Sequence, residues 1–222
     1  MMKSRREKAT GQPTDRRNRE AEILQAALEI FARKGYAAAS IQDVADAVGV
    51  LKGSLYHYID SKEDLLFQIF DNAHVDAERL MTELDALEVD AVERLRSYLE
   101  RSVSNTLQNL ELQTLYFRDW RNLTGERRKK LVERRRQYDH YLRGLITKAY
   151  ETLGIESTVN QRYVSSFVIG GTNWVADWYR SDGDDSPDEV ARSYAQLAMA
   201  TVLGIAQPAK ALTAQAASHE GQ

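Results

Sequence analysis

The residues whose chemistry is easiest to interpret lie between Lys52 and His57, where the sequence reads KGSLYH. Lys52 can neutralise a phosphate or reach the acceptor atoms of guanine in the major groove of DNA. Tyr56 and His57 can donate hydrogen bonds to phosphate oxygens, Tyr56 can also touch a thymine methyl, and Gly53 has no side chain to keep a duplex away. These residue types predict contact with double-stranded DNA. The full set predicted to contact DNA is Ser40, Lys52, Gly53, Ser54, Tyr56, His57 and Lys62.

No other group of residues in the sequence suggests a reaction. The four histidines are scattered, and the absence of cysteine excludes disulfides, thiolate metal sites and cysteine nucleophiles. The sequence has no phosphate-binding glycine loop, no histidine pair at metal-ligand spacing and no nucleophile elbow. We therefore predict a protein that is not an enzyme and that has no catalytic residues, no metal and no cofactor.

A helix-turn-helix over Ile41–Ile59 is predicted to position the DNA-contacting residues. Ala45 is small where the second helix has to cross the first, and Gly49 lies in the turn, where a left-handed backbone favours glycine. The second helix is predicted over about 51–58. The residues expected to form the small core of this motif are Val44, Val48, Val50, Leu51, Leu55 and Tyr58.

Helix signals extend over the rest of the chain, and no segment alternates clearly enough to predict a strand. A first helix is predicted from Thr14 or Asp15 to Gly35, and Ser61 is predicted to cap a longer one. The fold class is all-α, with a three-helix head followed by a helical body. The predicted divisions are a disordered basic tail over 1–13, the DNA-binding head over 14–62, an effector-binding and dimerisation body over 63–206 and a disordered tail over 207–222.

The distribution of charge fits this division, although the net charge of −3 does not by itself suggest a nucleic-acid partner. Residues 1–62 hold 11 Lys and Arg against 8 Asp and Glu, whereas the remainder holds 19 against 25. A basic end on an acidic body is the asymmetry expected if only that end approaches phosphates, or if it is a solvated arm. No apolar run reaches the length of about 18 residues that a membrane span needs. We expect no membrane contact and a cytoplasmic location.

The run from Arg19 to Phe70, and above all SIQDVADAVGVLKGSLYHYIDSKEDLL, resembles the DNA-binding head of tetracycline-repressor (TetR) type regulators. The resemblance implies a repressor that binds a pseudo-palindromic operator as a homodimer and is released by a small effector. In such proteins the effector changes the spacing of the two heads through the helix that begins here near Lys62. Leu51 departs from the family, which often has a capping serine or threonine there, and Ile59 replaces a common phenylalanine.

The last two long helices have the composition of a dimer-forming four-helix bundle, two helices from each subunit. Broad apolar stripes on these helices would also suit the core of a single chain, and both uses are compatible. The residues predicted at the dimer interface are Tyr163, Phe167, Trp174, Tyr194, Leu197 and Val202.

Two clusters of polar groups among aromatic side chains, 116–121 and 173–180, are candidates for an effector pocket, or else core and interface with surface charges. The second cluster and the SPDEVARSYAQLAMATVLG segment after it also resemble regulators of fatty-acid and sterol catabolism, which implies an acyl-CoA effector. Arg118, Arg121, Arg127 and Arg128 are then candidate partners of its phosphates, or part of a solvated helix face. The residues predicted to bind the effector are Tyr116, Arg118, Trp120, Arg121, Asn173, Trp174, Asp177 and Trp178.

Three alternatives remain open at the level of sequence. A multidrug-sensing repressor of an efflux gene would have the same head and a different ligand. An activator or nucleoid-type protein would bind DNA without a ligand, and an acyl-CoA-acting enzyme would turn over the thioester.

Overall fold

The computed structural model describes residues 13–208, and these form two compact units that divide between Phe70 and Asp71. The division falls inside a helix and eight residues beyond the predicted end of the DNA-binding head. Most of each predicted tail, residues 1–12 and 209–222, lies outside the described residues.

The first unit is the predicted three-helix head, together with the start of a long fourth helix. Gly35, with φ +82°, ends the first helix as predicted, and the second helix packs against both the first and the third. The helix begins at Pro13, before the predicted Thr14 or Asp15, in agreement with the preference of proline for the first turn. The helices of this unit are α1 (Pro13–Lys34), α2 (Ile41–Ala47), α3 (Lys52–Leu55) and the first part of α4 (Lys62–Asp85), which continues into the second unit.

The second helix of the motif differs from the prediction in length and in one core residue. α3 ends at Leu55, and Tyr56–Tyr58 follow as a turn. Leu51 was expected in the core, but 80% of its surface is exposed. The reason is its position before the first turn of α3: its backbone is extended (φ −71°, ψ 141°), so its side chain does not lie on the helix face that carries Leu55.

The second unit is a helical body whose main core is formed by α5, α7, α8 and α10. Leu99, Ile146, Val168 and Met199 represent the four helices in this core. Asp90 and Ser186 cap α5 and α10, and Pro187 stands at the start of α10 as predicted. Besides a short 3-10 turn, Trp120–Asn122, the helices are α5 (Ala91–Gln108), α6 (Leu110–Asp119), α7 (Gly125–Leu153), α8 (Gln161–Asn173), α9 (Val175–Trp178) and α10 (Pro187–Gly204).

A short antiparallel strand pair joins two distant points of the body, where the sequence had predicted no strand. β1 (Ile155–Ser157) pairs with β2 (Ala206–Pro208), and Glu156 lies opposite Gln207. Part of the predicted C-terminal tail is therefore ordered, because residues 207 and 208 belong to β2. Within residues 13–208, no helix is both long and apolar enough to cross a membrane.

Candidate functional site

The helix-turn-helix is held by a capping box at the start of α2 and by a left-handed glycine in the turn that follows α2. Ser40 Oγ accepts a hydrogen bond from the Asp43 amide (3.1 Å), and the Ser40 amide donates to Asp43 Oδ2 (2.8 Å), which makes the predicted capping box at α2. Gly49 has φ +68°, and Ala45 is fully buried. Hydrogen bonds from Lys34 and Ser40 lower the pKa of Asp43 to about 2. The carboxylate that holds this cap is therefore ionised at neutral pH.

Ser40 serves the fold of the head in addition to its predicted contact with DNA. Ser40→Ala should remove the side-chain half of the capping box and lower the free energy of unfolding by about 1 kcal/mol. Ser40→Thr keeps a capping hydroxyl and is the matched control, which should stay close to the wild type. Urea denaturation followed by circular dichroism measures both, and equal stability of all three proteins would contradict the role of this cap.

The predicted DNA-contacting residues of the α3 segment lie open to solvent. Lys52, Gly53, Tyr56 and His57 are exposed, and Ser54 is half-buried. Within the part of the chain that the structure describes, the side chains of Lys52, Tyr56 and His57 make no ion pair or hydrogen bond. One cation and two hydrogen-bonding rings are therefore held on one short segment with their polar groups unused by the fold.

Lys62 lies at the start of α4, where Ser61 Oγ accepts a hydrogen bond from the Asp64 amide (3.0 Å). The Lys62 ammonium lies 3.3 Å from the Ala37 carbonyl oxygen and 4.4 Å from the centre of the Tyr36 ring. The side chain is half-buried. Lys62 thus joins the start of α4 to the α1–α2 connection, and its predicted phosphate contact has to coexist with this role.

A leucine that the sequence argument assigned to the core is exposed beside the predicted reading residues. Leu51 precedes Lys52 and offers an apolar surface of the kind that contacts a thymine methyl in the major groove. The signal that could have identified it was the absence of a capping side chain at the start of α3, since no side-chain hydrogen bond caps this helix.

The body contains a partly open cavity of about 210 Å³, here called the inner cavity, between α4, α5, α6, α7 and α8. Leu99, Leu142 and Val168 supply apolar wall, and tyrosines supply hydroxyl groups. Among the residues of this lining there is no Asp or Glu. The residues that bring polar groups to it include His74, Tyr98, Asn105, Gln113, Tyr116, Arg135, Tyr138 and Asn173.

A buried histidine orders the hydroxyl groups of the inner cavity. His74 Nδ1 lies 2.9 Å from Tyr138 Oη, whose hydroxyl also donates to the His74 carbonyl oxygen (2.9 Å). Because that hydroxyl has a single proton, Nδ1 is the protonated nitrogen and donates to Tyr138 Oη. Nε2 is then free to accept from Tyr116 Oη, which lies 3.4 Å away.

Burial determines the ionisation of His74 and of its partner Tyr116. It lowers the pKa of His74 from 6.5 to about 4, and the positive charge of Arg134 acts in the same direction. Burial also raises the pKa of Tyr116 to about 12. At neutral pH the cavity therefore presents a neutral histidine and neutral phenols, which are hydrogen-bonding groups suited to a carbonyl or hydroxyl.

A second space of about 900 Å³, here called the outer cleft, adjoins the inner cavity. Phe117, Arg135, Ile169 and Asn173 line both. Five of the eight predicted effector-binding residues line one or both spaces: Tyr116, Arg118, Asn173, Trp174 and Asp177. His74, Tyr138 and Arg135 also line these spaces and were not predicted from the sequence.

The other three predicted effector-binding residues line neither space. Trp178 Nε1 donates to Tyr194 Oη (2.7 Å), and the two rings stack at 5.9 Å, so this pair is committed to the α9–α10 contact. Trp120 and Arg121 lie together, with the Arg121 guanidinium 4.9 Å from the indole centre.

The predicted dimer residues divide into an exposed group and a buried residue. Tyr163, Phe167 and Trp174 on or next to α8, and Leu197 on α10, are between 61% and 69% exposed, and Tyr194 is half-buried. The prediction for Val202 is wrong, because Val202 is 0% exposed. It faces the core with Ala198 and Met199, since α10 has two apolar sides and Val202 lies on the inner one.

Family models match both units of the chain. Residues 23–69 match "Bacterial regulatory proteins, tetR family", and residues 88–202 match "Tetracyclin repressor-like, C-terminal domain". Together these matches include the helix-turn-helix, both predicted effector clusters and all the predicted dimer residues.

Individual relatives agree with these matches. The chain is 30% identical over 209 residues to the HTH-type transcriptional repressor KstR2 of Mycolicibacterium smegmatis, which covers 87% of this chain and 91% of the relative. It is 29% identical over 196 residues to KstR2 of Rhodococcus jostii, and the match covers 86% of this chain and 92% of the relative. Among solved structures, the ketosteroid transcriptional regulator KstR2 of Mycobacterium tuberculosis has the same fold, with a TM-score of 0.75 at 22% identity over 85% of this chain and 95% of that chain.

Proposed function

This chain belongs to the tetR family of bacterial regulatory proteins, and we propose that it is a homodimeric repressor released from its operator by a coenzyme A thioester. DNA binding is supported chiefly by the α3 segment, where Lys52, Tyr56 and His57 are exposed and their side chains make no ion pair or hydrogen bond within the described residues. The KstR2 relatives are named as transcriptional repressors, which supports repression as the direction of control. Operator DNA lies in the cytoplasm, and we propose that the protein acts there.

The predicted DNA-contacting residues of the α3 segment, together with Lys62, are here called the reading surface. They divide into residues that position the protein on DNA and residues that contact bases. Lys52 and Lys62 supply charge for phosphates, and Tyr56 and His57 supply donors. We add Leu51 to the predicted set as an apolar contact. Ser40 and Gly49 act indirectly: Ser40 caps α2 and Gly49 forms the turn before α3, so both help to orient the α3 segment toward a duplex.

Single substitutions test this surface. Tyr56→Ala and Lys52→Ala should each weaken operator binding by about 10-fold, and Lys52→Ala should reduce the slope of log affinity against log salt by about 1. Neither should change the helix content, because both side chains are exposed and neither makes a hydrogen bond or an ion pair within the described residues. Fluorescence anisotropy with the DNA upstream of the protein's own gene measures the affinity.

The matched control is Lys148→Ala, which removes the same charge from an exposed position on α7. It should leave operator affinity unchanged. Wild-type affinity in both Tyr56→Ala and Lys52→Ala would place the reading surface elsewhere.

The two adjoining spaces support an amphipathic anionic effector. The inner cavity offers an apolar wall with neutral hydroxyl groups. The outer cleft is lined by two arginines, Arg118 and Arg135, and by two carboxylates, Asp139 and Asp177, of which Asp139 pairs with Arg143 (2.8 Å). No Asp or Glu lines the inner cavity to pair with a cationic drug, and Arg135 lines it, which favours an anionic ligand over a cationic one. An acyl chain or a sterol-derived ring system, joined through a thioester to a charged head, matches this order of surfaces.

The resemblance of the C-terminal helices to regulators of fatty-acid and sterol catabolism supports the same effector class. A multidrug sensor remains the alternative, and it predicts release by lipophilic cations rather than by thioesters. We propose no reaction at this site, so the thioester should be recovered intact after binding.

A further inference from the structure

Three arginine side chains gather on one indole ring at the surface of the body. The guanidinium carbons of Arg121, Arg128 and Arg135 lie 4.9, 5.5 and 4.7 Å from the centre of the Trp120 ring. Arg128 and Arg135 are seven residues apart on α7, so they share one face of the helix and are separated by about 10 Å along its axis. Trp120, in the 3-10 turn before α7, therefore anchors three cations within a small area.

The charges of this cluster are not neutralised by the fold. Arg121, Arg128 and Arg135 form no ion pair among the described residues, and all three are exposed. The carboxylates nearest in sequence pair with other cations. Asp119 pairs with Arg118 (2.7 Å), Glu126 with Lys129 (2.6 Å) and Glu133 with Arg136 (3.5 Å).

Like charges held this close repel one another, and cation–π contact with the indole offsets only part of that repulsion. An anion with several phosphates would remove the repulsion. Guanidinium groups bind phosphate oxygens through two parallel hydrogen bonds, which a solvated lysine patch does not do. The indole and the guanidinium planes also offer stacking surfaces for a purine base.

The cluster is continuous with the effector site through Arg135. This residue is part of the Trp120 cluster and also lines both the inner cavity and the outer cleft. Because Arg135 lines both spaces and lies 4.7 Å from the centre of the Trp120 ring, a ligand held beside Arg135 lies close to the Trp120 cluster. The inner cavity combines apolar wall with mostly neutral hydrogen-bonding groups, and the Trp120 cluster carries three cations. This order matches a coenzyme A thioester from its acyl tail to its phosphates.

We propose that Arg121, Arg128 and Arg135, held on Trp120, bind the diphosphate and 3′-phosphate of a coenzyme A thioester. This inference rests on the proposed function. It assigns the charged head of the effector to a surface that shares Arg135 with the two spaces and extends beyond them to Trp120, Arg121 and Arg128.

The test compares octanoyl-CoA with octanoyl-pantetheine, which has the same tail and thioester but lacks the nucleotide. Isothermal titration calorimetry is carried out on the full chain, wild type and R121Q/R128Q, with R136Q as the control on the same helix. Removing two guanidinium groups should weaken octanoyl-CoA binding about 10- to 100-fold and leave octanoyl-pantetheine binding unchanged. R136Q should bind both ligands as the wild type does. Free coenzyme A should compete with octanoyl-CoA in the wild type and in R136Q, but not in R121Q/R128Q.

The outcomes separate this inference from the proposed function. If octanoyl-CoA releases operator DNA from the wild type and from R121Q/R128Q at the same concentration, the head-group site is wrong and the proposed function stands. If neither thioester binds the wild type or releases its operator, the proposed effector class fails and the head-group site fails with it. If R121Q/R128Q binds operator DNA more weakly without any effector, the arginines contact DNA and the inference is overturned.

Discussion

Phe167→Asp is expected to convert the protein into a monomer that keeps its helix content and binds operator DNA about 100- to 10,000-fold more weakly. Phe167 is 69% exposed on α8, so a charge there costs the isolated chain little, whereas a charge buried between two apolar helix faces is strongly unfavourable. The loss of DNA affinity follows because each head reads one half-site, and two half-sites bound together give far more affinity than one.

Sedimentation velocity gives the oligomeric state, and anisotropy on the same samples gives the operator affinity. Leu153→Asp is the control, because Leu153 is also a large exposed apolar side chain but lies at the end of α7. It should remain dimeric. A Phe167→Asp protein that sediments as a dimer would show that the exposed surface of α8 and α10 is not the dimer interface.

The second large effect concerns the stability of the body as a function of pH. The pKa of His74 is about 4 in the folded protein and 6.5 in an unfolded chain. At pH values between about 4 and 6.5, His74 is protonated in the unfolded chain but neutral in the folded protein. Lowering the pH from about 7.5 to about 5 should therefore reduce the free energy of unfolding by about 2 kcal/mol through this residue alone.

His74→Gln isolates this contribution. Glutamine keeps hydrogen-bonding capacity toward Tyr138 and Tyr116 but does not titrate, so the variant should be less stable at neutral pH and lose less stability on acidification. His140→Gln, at an exposed position, should keep the wild-type slope. Urea denaturation at several pH values measures all three, and parallel slopes for wild type and His74→Gln would show that His74 does not resist protonation.

The head of the protein could be predicted almost completely from sequence because local physics determines it. The capping box at Ser40 and Asp43, the small Ala45 and the left-handed Gly49 each impose a requirement that only a few residue types satisfy. Leu51 was misplaced for a local reason too. An apolar residue before a four-residue helix has no second turn to bury it, and periodicity alone does not reveal where a helix begins.

The body was predictable as helices but not as a site. Leu197 and Val202 both belong to apolar stripes of α10, yet one is 63% exposed and the other 0%, and sequence spacing does not say which side of a two-sided helix faces the core. The hydrogen bond between His74 and Tyr138 joins residues 64 positions apart, and β1 pairs with β2 across about fifty residues. Contacts of this kind leave no local pattern, so the inner cavity and Arg135 appear only in three dimensions.

The most direct test of the account is the affinity of the purified protein for the DNA upstream of its own gene, measured while octanoyl-CoA and other coenzyme A thioesters are titrated. The proposed function predicts a tight complex that a thioester dissociates, with the thioester recovered unhydrolysed. A complex that no thioester dissociates, but a lipophilic cation does, would contradict the proposed effector. Absence of any DNA complex would contradict the account as a whole.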